Sequence, residues 1–187
     1  MKKLTKILII VLSVALLCGA FVLGASANVD VPEATTHISF VVYDAEGKVV
    51  TTNAIEGETE DGDAVIGYVK LSDAFANVPS NGTILLVSDY EDGPNTDTTV
   101  LSADKQNVTL DLNYYTLSAS CSAKTSGNTE EYSWHEIAVY GSLTVTGEGY
   151  IEATTSAFIV NAGASLTFDA GDGNTIYLVA KHCYRQA

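Results

Sequence analysis

Val108-Thr109-Leu110-Asp111-Leu112-Asn113, followed at once by Tyr115-Thr116-Leu117, alternates apolar and polar residues. Successive side chains of an extended chain point to opposite faces, so Val108, Leu110 and Leu112 share one side and Thr109 and Asp111 the other, the pattern of a half-buried strand. The same pattern returns at Ser142-Leu143-Thr144-Val145-Thr146-Gly147 and at Ser165-Leu166-Thr167-Phe168-Asp169. With Ile84, Val108, Leu143 and Leu166 as equivalent positions, the units are 24, 35 and 23 residues long, the long one being a unit plus an insertion over 118–136. Second strands follow at Tyr115-Thr116-Leu117, Tyr150-Ile151-Glu152 and Thr175-Ile176-Tyr177-Leu178, and third strands at Ile137-Ala138-Val139-Tyr140 and Phe158-Ile159-Val160-Asn161. Short strands at this spacing, with polar or glycine corners, predict about four stacked coils, each burying its interior only against its neighbours.

Upstream, His37 to Tyr43 has strand character, Asp44-Ala45-Glu46-Gly47 is a turn and Lys48 to Thr51 a return, which predicts a β-hairpin. Glu56 to Asp63 holds five acids and two glycines, an acidic loop. Leu71, Ala74, Phe75 and Val78 recur at helical steps, so a short helix over 71–78 precedes the strong strand Thr83 to Ser88. A helix there has a plain task, because the end of a stacked core exposes apolar side chains and unpaired strand edges. The expected division is a signal peptide over 1–27, a lead-in with hairpin and acidic loop over 28–63, and the coiled stack over 64–187.

The signal peptide is read from Lys2, Lys3 and Lys6, an almost wholly apolar run from Ile7 to Leu17 and the small-x-small site Ala25-Ser26-Ala27. It predicts export to the cell surface or beyond. The whole chain carries −14. Cleavage removes three of the nine basic residues and none of the 23 acidic ones, leaving six against 23, or −17. Such a surface repels phosphate backbones and anionic membranes and excludes nucleic-acid binding. Cys121 and Cys183 remain, too few for a disulfide scaffold, and His37, His135 and His182 never fall at zinc-ligand spacing with them.

The pattern resembles the right-handed parallel β-helix, or pectate-lyase-like, superfamily. Leu71 to Ala76 with Gly82-Thr83-Ile84 is similar to the capping helix and first rung of such proteins, and Val108 to Asn113 to their first well-formed rung. There Asn is usually followed by glycine, a place held here by Tyr114. Gly141-Ser142-Leu143-Thr144-Val145-Thr146-Gly147-Glu148-Gly149 resembles the N-terminal rungs of large secreted, adhesin-like β-helix proteins of bacteria. The resemblance covers residues 65–180 and implies an all-β fold: a right-handed parallel β-helix of about four coils, a short N-terminal capping helix and a preceding hairpin. It implies no single activity, since one solenoid serves lyases, hydrolases, adhesins and structural spines.

Candidate sites are few. Asn95-Thr96-Asp97 matches a tripeptide that carries a catalytic aspartate in polygalacturonases, but Thr98 follows where that family has glycine, and the family's Asp-Asp, Gly-His-Gly and Arg-x-Lys elements are lacking. Inverting hydrolysis needs two placed carboxylates, and no such pair is identified. Lyase chemistry needs a basic residue beside a uronate, whereas the only arginine is Arg185. No catalytic residue is assigned. Asp89, Glu91, Asp92 and Asp97 have the composition of a calcium loop without a known calcium spacing, and they read first as a tight turn, as does Asp169 to Asn174. No cofactor is expected beyond calcium at these acids. Tyr132 and Trp134, in the insertion, are the candidates for stacking on a sugar ring.

The expected function is thus a secreted, non-catalytic module for adhesion, display or glycan binding, with glycan or extracellular matrix as partner. The alternative is the N-terminal part of a polysaccharide lyase or glycoside hydrolase of the same fold. After Ala180 the chain continues as Lys181-His182-Cys183-Tyr184-Arg185-Gln186-Ala187 without a capping pattern. An open stack pairs with something, so the C-terminal end is expected to self-associate or to lack further coils.

Overall fold

A computed structural model describes residues 35–92, 99–119, 123–126, 129–132, 137–153 and 157–180. The signal peptide, Asn95-Thr96-Asp97, Cys121, Trp134, His135 and the segment 181–187 lie outside the described residues. What is described is mostly β, with one helix.

The first elements form a cap. β1 (Phe40–Tyr43) is followed by a turn in which the Asp44 carboxylate accepts the Glu46 and Lys48 N–H groups. The return strand expected over 48–51 is only a single bridge, Tyr43 to Val49. The longer hairpin is the next one, β2 (Ile55–Glu58) with β3 (Ala64–Gly67), antiparallel, with Glu58 opposite Ala64. Glu56 to Glu58 of the acidic loop are therefore strand, and only Thr59 to Asp63 turns, held by the Gly62 and Thr59 N–H groups donating to the Thr59 and Asp63 carbonyls. Helix α1 (Leu71–Asn77) follows. Asp73 in its first turn suits the positive end of the helix dipole, and Val78 is forced to extended backbone by Pro79.

From there the chain visits three parallel sheets in a fixed order. β4 (Thr83–Leu86), β5 (Tyr90–Asp92) and β6 (Thr99–Leu101) make the first circuit. β7 (Val108–Asp111) and β8 (Thr116–Ala119) begin the second. It is interrupted by an antiparallel hairpin of β9 (Ala123–Ser126) and β10 (Thr129–Tyr132), then completed by β11 (Ile137–Val139). β12 (Ser142–Thr146), β13 (Gly149–Ala153) and β14 (Phe158–Val160) make the third, and β15 (Ser165–Asp169) and β16 (Ile176–Ala180) follow. The sheets run β1-β4-β7-β12-β15, β5-β8-β13-β16 and β6-β11-β14. An all-β solenoid fits this path.

Interior columns are apolar and in register. Ile84, Leu110, Val145 and Phe168 stack in the first sheet, Leu117, Ile151 and Leu178 in the second, and Leu101, Val139 and Val160 in the third. Within the stack Ile84, Leu110, Val145, Leu101 and Val139 are fully buried. One alignment differs from expectation: Ile84 is level with Leu110, not Val108, so the first unit is 26 residues. A slip of two keeps every side chain on its own face, so alternation cannot detect it. The register is fixed at the corner instead. Asn81 and Asn107 both have positive φ, and the Asn107 side-chain amide donates to the Asn81 side-chain Oδ1 across 3.1 Å.

Two devices cover the core and the edge of the first sheet at the N-terminal end, while β5 and β6 keep an outer edge without a partner strand among the described residues. Leu71, Ala74 and Phe75 of α1 join the interior core. The edge of β4 is covered not by the helix but by β1, antiparallel, with Phe40 opposite Leu86. A helix has used its backbone groups on itself and can cover side chains but not a strand edge. Both faces of β1 are buried: Phe40 and Val42 enter the main core, while Val41 joins Ile38 and Val87 in a small second one.

Candidate functional site

The outer faces are ladders with the same register as the core. Thr83, Thr109, Thr144 and Thr167 form one column, and Leu85, Asp111, Thr146 and Asp169 the next. Ser165 donates its hydroxyl to that of Ser142 at 2.9 Å. On the second sheet Thr116, Tyr150 and Tyr177 are level, and the two tyrosine rings stack at 4.7 Å with an interplanar angle of 15°. Both rings remain more than two-fifths exposed.

Side-chain amides and carboxylates shape the corners. The Asp111 carboxylate accepts the Asn113 N–H at 3.0 Å, and Asp169 accepts the Gly171 N–H at 3.1 Å in the same way. Asn113 is no outward strand residue: its φ is 47°, and its amide donates to the Leu86 carbonyl of the coil below. Tyr114 takes the glycine place with φ 73°. At Gly141 the backbones pass so close that a Cβ would overlap the Lys105 carbonyl oxygen.

The residues singled out from the sequence do not converge. Asp89 precedes β5 and accepts the Thr116 N–H at 2.7 Å, joining the first circuit to the second. Tyr90-Glu91-Asp92 is strand β5 rather than a tight turn, because it pairs with β8, Tyr90 level with Leu117. Glu91 is exposed there. Asp97 and Trp134 lie outside the described residues, and Tyr132 is the last residue of β10, opposite Ala123. Asp169 to Asn174 is a turn with positive φ at Gly171 and Gly173. Among the described residues no group of three or more His, Cys, Asp or Glu side chains is placed to hold a metal. Burial first, and then the acids Asp61, Glu60, Asp89 and Asp63, push the Tyr115 hydroxyl above its ordinary pKa.

One feature escaped the sequence reading, the Tyr150–Tyr177 stack, whose signal was an aromatic at the same place in two second strands. At the C-terminal face of the stack, where the sequence leads to an expectation of self-association or further coils, β14, β15 and β16 each pair on one side only among the described residues. There the interior columns end in the open: Phe168 is 42%, Val160 47% and Leu178 59% exposed, against 0–1% for Val145, Val139 and Ile151 one coil below. Phe158 and Phe168 meet edge to face at 5.7 Å across this end.

Among the described residues no helix is long and apolar enough to cross a membrane. No family model matches the chain, and no curated protein or solved structure matches it significantly.

Proposed function

We propose that the chain is a short right-handed parallel β-helix of the pectate-lyase-like superfamily. It is exported by its N-terminal signal and acts outside the cell as a non-catalytic module that binds glycan or matrix. The observation that carries this reading is the exposed Tyr150–Tyr177 stack on the outer face of the second sheet, beside the column Glu91, Ser118, Glu152 and Val179. Sugars are recognised by an apolar ring face with hydroxyls and amides beside it, and aromatic side chains supply that contact at low entropic cost. Thr116 lies level with Tyr150 on the same sheet, and Glu152 is two residues along its strand. The reading assigns no cofactor.

The test is a glycan and matrix array probed with residues 28–187, alongside an assay for unsaturated or reducing ends released from pectin, alginate and related polymers. Binding without product release is expected. Tyr177→Ala should weaken binding by roughly tenfold, the worth of one aromatic contact. Trp134→Ala and Tyr132→Ala place or exclude the insertion as a second contact. Product release would replace this reading by the lyase or hydrolase one.

A further inference from the structure

We infer that the face of the Tyr150 ring turned away from Tyr177, with Thr116 and the Asp89 carboxylate beneath it, is a subsite for one sugar ring that carries a free, protonated amino group. The subsite belongs to the glycan site proposed above and stands only with it. It narrows the ligand from glycans in general to cationic ones.

One column of the second sheet builds the place. Tyr90 is level with Leu117, so Asp89 stands at the level of Thr116, which is level in turn with Tyr150 and Tyr177. Tyr177 stacks on one face of the Tyr150 ring at 4.7 Å. The other face looks back along the column toward Thr116, whose side chain is too short to cover a ring. Tyr150 is accordingly 44% exposed although one of its faces is taken. Neighbouring strands lie about 4.8 Å apart, so a ring seated outside the Thr116 side chain lies under Tyr150 at the spacing the two tyrosines already keep. A pyranose there continues the stack as its third member. This face points into the described coils, away from the last one.

Charge selects which sugar. The Asp89 carboxylate accepts the Thr116 N–H at 2.7 Å, which holds it against the place where the sugar lies. A carboxylate accepts from several donors, so this bond leaves capacity for another. Glu91, two residues further along, is exposed. After burial, it is Asp61, Glu60, Asp89 and Asp63 that push the hydroxyl of Tyr115, the residue before Thr116, above its ordinary pKa, so the turn between β2 and β3 adds its acids from below. The four strands of the sheet contain no basic residue. A uronate or sulfated sugar under Tyr150 would meet carboxylates alone. An ammonium group meets an opposite charge, gives Asp89 an N–H donor and lies beside an aromatic ring, which also attracts cations.

The test titrates residues 28–187 with oligosaccharides of equal length: deacetylated glucosamine, its N-acetylated form and galacturonate. At about pH 5.5 the aspartates and glutamates are ionised and the sugar amine is protonated. The glucosamine oligomer should bind roughly tenfold more tightly than the acetylated one, and the galacturonate oligomer should not bind. Asp89→Asn with Glu91→Gln should erase that preference and leave the acetylated oligomer's affinity and the circular dichroism unchanged, since asparagine keeps an oxygen for the Thr116 N–H. Tyr150→Ala should weaken both the glucosamine and the acetylated oligomers. Equal or tighter binding of the acetylated or galacturonate oligomer would overturn the inference and leave the glycan reading standing. So would a preference that survives the double variant, or glucosamine binding undiminished in Tyr150→Ala, which would mean attraction by bulk charge. No binding to any glycan on the array would overturn both.

Discussion

Tyr114 is the residue most at odds with its backbone. A bulky side chain at φ 73° sits in the left-handed region, which costs roughly 1–2 kcal/mol where glycine pays nothing. The conformation is imposed from outside: the Tyr114 N–H donates to the Glu148 carbonyl, and the Tyr115 N–H to the Leu112 carbonyl. With its ring 53% exposed, the tyrosine has modest packing to lose. Tyr114→Gly should therefore stabilise the protein by up to about 1 kcal/mol, even after the added chain entropy of glycine is counted. Denaturant melts of the two proteins measure it, and a destabilised glycine variant would mean that the ring's own contacts outweigh the strain.

At the scale of elements, the sequence showed what alternation can show. β7, β12 and β15 were legible because Val108, Leu110, Leu143, Val145 and Leu166 repeat at every second place. α1 was legible because Leu71, Ala74 and Phe75 repeat at three and four. β5 and β6 were not, since Tyr90-Glu91-Asp92 reads as an acidic turn and Thr99-Val100-Leu101 is too short to carry a period. Both are strands because β8 and β11 offer them edges. The candidate site was less legible still, because register, which single strands do not encode, brings Tyr150 over Tyr177. The cap strand shows how much one element can carry. Phe40 is fully buried, lies opposite Leu86 and touches the Tyr90 ring edge to face at 4.7 Å. Phe40→Ala should cost about 3–5 kcal/mol, a large part of the stability of a domain this size. A thermal melt reads it directly, and a loss below about 1 kcal/mol would show that β1 is not needed to close the stack.

For the whole molecule, stability in a stack is a sum over coils and the contacts between neighbouring ones. Among the described residues β7 and β12 lie between two partners, while β5, β6, β14, β15 and β16 have one each. Amide exchange should thus be slowest in β7 and β12 and fastest in β14 to β16, where the interior side chains are exposed as well, with β4 protected by its cap. The opposite gradient would mean that the cap, rather than the last coil, is the loose end.

The antiparallel seat of β1 on β4 also sets a timetable. A chain is made from its N-terminus, so β1, the β2–β3 hairpin and α1 exist before residue 86 has been added. β1 then closes one side of β4 at once, and each later coil lays its strands along a coil already finished. Apart from the outer edges of β5 and β6, which no described strand covers, the growing protein carries live edges only on its newest turn, so little of the sticky surface that ruins slow-folding β proteins is open at any one time.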